Sequence, residues 1–161
     1  MLVAVISDTH MPRGRRRLPV EHLAGADVIL HAGDLMERSV LEELHELGPP
    51  VHAVRGNVDD PWLQARLPLQ RTLELEGVRI GMVHDAGPAR GRLERMRRQF
   101  PDEDAVIFGH SHIPLHETDA SGFQIFNPGS ATDRRRQPTH TMGLARIAAG
   151  RVTFELLDLG R

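Results

Sequence analysis

The sequence predicts an α/β sandwich, two sheets packed face to face with helices outside. Three observations carry this. Short apolar, β-branched runs alternate with helical segments through the first half of the chain. In the second half hairpins take the place of most helices. Five of the runs end in Asp, Asn or His, as if their exits shared one edge.

Residues 2–6 (Leu-Val-Ala-Val-Ile) are β-branched and too short for a helix, so they read as a strand buried on both faces. The Pro/Gly/Arg-rich residues 11–17 form a loop, and 18–24, with Pro19 at the first helical position, form a short helix. Residues 27–34 give a second buried strand. Ser39 is the expected cap of a helix to Leu47 that places Val40, Leu41, Leu44 and Leu47 on one face, with Glu42 completing a capping box and 48–50 (Gly-Pro-Pro) stopping it. Residues 51–54 form a third strand. Runs 69–75 and 78–83 meet at Glu76-Gly77, a hairpin signal. Pro88 is expected to open a helix over 89–99, with Leu93, Met96 and Phe100 inward and its arginines mostly outward. Residues 105–108 are another buried strand. Hairpins follow at 115–126 and at 140–157, the second turning at Ala149-Gly150. No linker or repeat divides the chain, so one domain spanning 1–161 is expected.

Composition narrows the chemistry. With no cysteine, disulfides and thiolate metal sites are excluded, and any metal must use nitrogen and oxygen ligands. The apolar runs are of strand length, against roughly 20 residues for a membrane span, and Met1 opens a core strand with no basic leader. The expectation is a cytoplasmic protein with no membrane contact. A net charge of −2 and the absence of Tyr give no strong nucleic-acid signal. The arginine runs at 13–17 and 134–136 read as solvated loop faces.

The exits carry Asp8 with His10, Asp34, Asn57, His84, and His110 with His112. Parallel strands joined by right-handed crossovers put these exits on one edge. Seven oxygen and imidazole donors are too many for one tetrahedral site, but suit two metals sharing a bridging carboxylate, such as Mn, Fe, Zn or Ni. No Cys nucleophile, Gly-x-Ser-x-Gly elbow or Walker loop competes with this reading. His22, His45, His52, His116 and His140 fit no motif and read as surface or satisfied core. His31 reads first as structural.

In this order, Asp8-x-His10, Gly33-Asp34, Gly56-Asn57-x-Asp59, a lone His84 and Gly109-His110-x-His112 resemble the calcineurin-like metallophosphoesterase superfamily. The length and the segment 127–130 (Asn-Pro-Gly-Ser) resemble its small single-domain prokaryotic phosphodiesterase branch. The resemblance covers nearly the whole chain and implies a four-layer αββα sandwich with a dinuclear metal site at the strand C-terminal ends. It implies one divalent metal held by Asp8, His10, Asp34 and His112 and another by Asp34, Asn57, His84 and His110, with Asp34 bridging. Manganese is the first choice of metal, with Fe, Ni, Zn or Mg as alternatives. The implied activity is hydrolysis of a small phosphodiester by a metal-bridging hydroxide, and homo-oligomers are common among relatives. A retromer subunit of the same fold supplies the alternative, a catalytically weak scaffold or protein-interaction module.

Two positions depart from the family pattern. Val58 stands where many relatives have the His that protonates the leaving group, and Asp85 follows His84 where many have Gly-His. Asp59 is the candidate to hold His10 or another ligand by a hydrogen bond. Asp60 reads as a loop or helix cap. Asn57, Arg13, Arg90 and the amides near Gly87 are the candidate phosphate-holding groups.

Overall fold

The computed structural model describes residues 1–11 and 16–161. In chain order the elements are β1 (Leu2–Ile6), α1 (Val20–Ala24), β2 (Val28–His31), α2 (Arg38–Glu46), β3 (Val51–Ala53), α3 (Pro61–Arg66), β4 (Gln70–Leu75), β5 (Val78–Val83), α4 (Arg92–Gln99), β6 (Ala105–Ile107), β7 (Leu115–Thr118), β8 (Gln124–Asn127), β9 (His140–Ala148) and β10 (Arg151–Gly160). One sheet runs β10-β9-β1-β2-β3 and the other β4-β5-β6-β8-β7. Strands β1, β2 and β3 are mutually parallel, as are β5, β6 and β8, while each sheet takes its remaining members from hairpins.

Alternation along the strands builds the layers. Val3 and Val5 of β1 point between the sheets, where they share a core with Leu30, Ile80, Met82, Ile107 and Phe126. Ala4 and Ile6 point the other way, onto a second core closed by Leu23 of α1, Val40, Leu41 and Leu44 of α2 and Leu63 of α3. On the far side, Val106 and Ile125 meet Met96 of α4 and Phe100 just beyond it. The result is the αββα sandwich, with helices on both outer faces.

Most elements match the sequence reading, and the exceptions have local causes. Helix α2 begins at Arg38, and Ser39 does not cap it; no side-chain cap comes from its own N-terminus. Asp60 instead accepts from the Arg38 amide at 3.0 Å across the chain, and Glu42 pairs with Arg38 Nε at 2.6 Å rather than closing a capping box. The same Asp60 caps α3 by accepting from the Leu63 amide at 2.8 Å, with Pro61 in its first turn. Helix α3, six residues long, is too short to show a period and was invisible in the sequence.

Helix α4 starts three residues later than expected. Gly87 and Gly91 both adopt left-handed φ (77° and 69°). The guanidiniums of Arg92 and Arg95 turn back to donate to the carbonyls of Gly87 and Ala86, so residues 86–91 fold as a braced loop instead of a first helical turn. The hairpin turns at Glu76-Gly77 and Ala149-Gly150 have positive φ at both central residues, the geometry that matches strand twist in a two-residue loop. No described helix is long and apolar enough to cross a membrane.

Candidate metal centre

The strands that carry the seven candidate ligands, β1, β2, β3, β5 and β6, end along one edge of the sandwich. Five of the seven residues leave their strand in a left-handed turn: Asp8 (φ 53°), His10 (47°), Asp34 (59°), His110 (70°) and His112 (58°). Such a turn re-aims a side chain across the sheet edge within one or two residues. It is costly for most side chains, and Asp, Asn and His tolerate it best. A run of strained residues of this kind marks a site whose surroundings hold it in place.

The donors fall into two groups, Asp8, His10 and His112, and Asp34, His84 and His110, each close enough to hold a metal ion. Asp34 lies between them. Its Oδ2 is 3.3 Å from His10 Nε2 and 3.2 Å from His84 Nε2, while its Oδ1 accepts from the Val58 amide at 3.0 Å. Asp8 Oδ2 is taken by the Ser7 hydroxyl (2.7 Å) and the His110 amide (2.9 Å), and its Oδ1 faces His112 Nε2 at 3.5 Å. Asn57 joins the second group, its Oδ1 lying 3.1 Å from both His84 Nε2 and His110 Nδ1.

Outer partners fix two of the rings. His84 Nδ1 donates to the Ala32 carbonyl at 2.7 Å and His112 Nδ1 to the Asp133 carbonyl at 2.5 Å. Each ring therefore turns the lone pair of its Nε2 toward the centre, the usual orientation of a metal-bound imidazole. The His84 lone pair then faces oxygen lone pairs on Asn57 and Asp34, an arrangement that requires a positive charge between them. His10 Nε2 is, among the described residues, the buried side-chain atom with no hydrogen-bond partner of good geometry. The donor set fits divalent cations, and an electron-rich cluster without one is paid for in protons.

Without a cation, the electrostatics of the cluster favour bound protons. Burial alone would lower His10, but the Asp34 and Asp8 carboxylates outweigh it and raise its pKa to about 9. His84 is raised against its own burial, chiefly by Asp34. Burial would raise Asp34, yet His10 and His84 hold it well below the usual carboxylate range. The sign follows from linkage: the folded state binds the His10 proton more tightly than the unfolded chain does. Its stabilising effect is full below pH 6.5 and is lost as pH rises through about 9. Metal-free protein should therefore lose stability between those values in urea titrations. Manganese affinity, measured over the same range, should rise as the competing proton leaves.

Two glycines let the backbones come together. A Cβ at Gly56 would lie 2.0 Å from Asp34 Oδ1 and 2.3 Å from the Asp34 amide nitrogen, and one at Gly109 would lie 1.9 Å from Ser7 Oγ. Gly56→Ala should lower stability by about 1–3 kcal/mol, as overpacking commonly does, and displace Asp34. Thermal unfolding and manganese binding of the variant would check both effects.

Several sequence expectations need correction. Asp59 does not touch His10. It accepts from the amides of Met36 (2.8 Å) and Gly56 (2.7 Å), tying the loop after Asp34 to the loop that carries Asn57. Burial raises its pKa against those hydrogen bonds. Arg90 lines neither cavity at this edge; its carbonyl accepts from Arg95. Arg13 lies outside the described residues. The Gly87 amide is occupied by Asp85 Oδ1 at 2.8 Å, so it closes a turn and is not free to hold a phosphate. Among the described residues, Arg135, read in the sequence as part of a solvated run, lies over the donor clusters. It is exposed, pairs with Asp133 at 2.9 Å and lines a 220 Å³ cavity with His10, Asp34, Asn57, Val58 and His112. Nothing in the local sequence separates it from its neighbours Arg134 and Arg136.

His31 is structural, as expected. Its buried ring accepts from the Gly33 amide at 3.1 Å and meets Thr9 Oγ1 at 3.2 Å, and burial pushes its pKa down to about 3, so it stays neutral. Asn127 closes the far side of the edge by donating to the Gly109 carbonyl at 3.0 Å, and Ser130 by donating to the Asp8 carbonyl at 2.8 Å.

The comparisons agree with this geometry. The family model of the calcineurin-like phosphoesterase superfamily domain matches residues 1–150. A "Probable metallophosphoesterase" of Methanothermobacter thermautotrophicus is 33% identical, over 99% of this chain and 94% of the relative. Among solved structures, wild-type Vps29 from Entamoeba histolytica complexed with Zn²⁺ superposes with a TM-score of 0.76 at 26% identity, covering 98% of this chain and 99% of Vps29. A novel archaeal phosphodiesterase superposes with a TM-score of 0.74 at 20% identity, over 98% of this chain and all of the other, which shows the shared fold. With its sandwich, its edge of converging donors and a match through nearly its full length, the chain belongs to the calcineurin-like phosphoesterase superfamily.

Proposed function

We propose that the protein is a dinuclear metal-dependent phosphodiesterase, acting as a single domain. The observation that carries the reading is Asp34 Oδ2, 3.3 Å from His10 Nε2 and 3.2 Å from His84 Nε2. One carboxylate oxygen between two imidazole-bearing clusters suits a shared ligand. Asp8, His10, Asp34 and His112 would hold one ion, and Asp34, Asn57, His84 and His110 the other. Two divalent ions, manganese first among them, would supply a hydroxide nucleophile at neutral pH, grip the phosphate oxygens and neutralise charge in the five-coordinate transition state.

The chain's own residues do the rest. His84 and His112 are pre-aimed by the Ala32 and Asp133 carbonyls. The Asn57 side chain and Arg135 line the cavity where a phosphate would sit, and Arg135 can offer paired N–H donors to its oxygens. A water oxygen forms a bond to phosphorus, the bond to one ester oxygen breaks, and a monoester and an alcohol leave. The diester preference draws on the likeness to the archaeal phosphodiesterase, and on Asp85 near the site, whose carboxylate disfavours a dianionic monoester. Metal analysis after reconstitution with manganese should find about two ions per chain, and bis(4-nitrophenyl) phosphate should be hydrolysed faster than 4-nitrophenyl phosphate. Stoichiometry persistently below one in folded protein would overturn the reading.

The likeness to Vps29 favours a second reading, a protein-interaction module of the same fold. A scaffold has no need of a complete ligand set, and all seven donors are present here. Metal-loaded protein without turnover of any phosphoester would favour the scaffold.

A further inference from the structure

The 220 Å³ cavity over both donor clusters is not the larger one at this edge. A second, of about 380 Å³, opens on its flank and shares Asn57 and His110 with it. That volume falls within the ~300–1,000 Å³ of small-molecule sites. Its walls are apolar where Leu69 and Val83 face it, polar where Gln70 and Gln99 do, and charged where Arg55 and Asp85 do. Leu69 is 63% exposed, an apolar side chain left in water beside a polar centre. Gln99 Nε2 donates to Gln70 Oε1 at 3.0 Å. This internal bond leaves the Gln70 amide N–H groups and the Gln99 amide carbonyl, a donor beside an acceptor, for a third group.

We propose that this flanking cavity is a nucleoside subsite: the substrate is a phosphodiester whose non-leaving arm is a nucleoside, with its base against Leu69 and Val83. The inference rests on the phosphodiesterase reading. A nucleobase has apolar faces and an edge of adjacent donors and acceptors, which matches an aliphatic wall next to a paired amide. A plain aryl group would use only the faces. Because the two cavities meet at Asn57 and His110, a phosphate over the donor clusters places one of its ester arms at the entrance of the larger cavity. Leu69, Gln70 and Gln99 are specificity-determining positions in this scheme and take no part in the chemistry.

The test compares two diesters with the same leaving group, thymidine 5′-(4-nitrophenyl) phosphate and methyl 4-nitrophenyl phosphate, on manganese-loaded enzyme. Wild type should prefer the thymidine ester in kcat/KM by at least about 10-fold, the scale on which apolar pockets discriminate. Leu69→Ser, at an exposed position that tolerates a polar residue, should reduce that preference at least about 5-fold, mainly through KM. Equilibrium binding of thymidine 5′-phosphate, relative to inorganic phosphate, should fall in the same variant. Equal losses on both esters would put the nitrophenyl group in the cavity and overturn the nucleoside assignment, as would no preference in wild type. Leu69-dependent binding of thymidine 5′-phosphate without turnover of either ester would keep the subsite and overturn the phosphodiesterase reading.

Discussion

Asp34→Asn should lower kcat/KM on bis(4-nitrophenyl) phosphate by more than about 10³-fold, well beyond the ~10–100-fold that loss of an outer partner costs a metal site. The reason is geometric. Every other candidate ligand belongs to one cluster, whereas Asp34 Oδ2 is within 3.3 Å of a ring nitrogen in each. The amide is nearly the same size, so the Val58 amide can still be accepted and the fold should survive, but the negative charge that two cations would share is gone. Asn57→Ala, by contrast, removes a donor from the His84 side only. Metal analysis should show Asp34→Asn depleted of both ions and Asn57→Ala depleted chiefly of one. If Asp34→Asn keeps wild-type turnover and metal content, its assignment between the two sites is wrong.

The second large effect concerns Val58. Its amide serves Asp34, but its side chain is 41% exposed and lines the 220 Å³ cavity, offering no proton. General-acid help contributes about 10²–10⁴-fold, most when the departing alkoxide is strongly basic. The wild-type enzyme should therefore favour nitrophenolate and fall steeply across a diester series as leaving-group pKa rises. Val58→His places an imidazole in a cavity with room for it and should raise the rate on alkyl diesters more than on aryl ones, flattening the slope of log(kcat/KM) against leaving-group pKa. A flat slope in the wild type would show that another group already supplies the proton.

What the sequence determined by itself is the framework and the donor set. The run at residues 2–6, the two-residue hairpin turns and the apolar spacing around Val40, Leu41 and Leu44 each follow from local periodicity and turn chemistry, and those signals survive without knowledge of any neighbour. The seven donors were legible because each stands at the end of such a run, and parallel pairing brings strand ends to one edge whatever the details of packing. The tertiary structure decided what depends on partners distant in the chain. Asp59 faces the amides of Met36 and Gly56 instead of His10, Asp60 caps two helices at once, and Arg135 alone of its run lines the cavity. Helix α4 begins late because Arg92 and Arg95 reach back to carbonyls five and nine residues away. These contacts are set by how two sheet edges and their loops are brought together in space. A hydrogen bond across 20 or 100 residues leaves no periodic trace in the sequence that makes it.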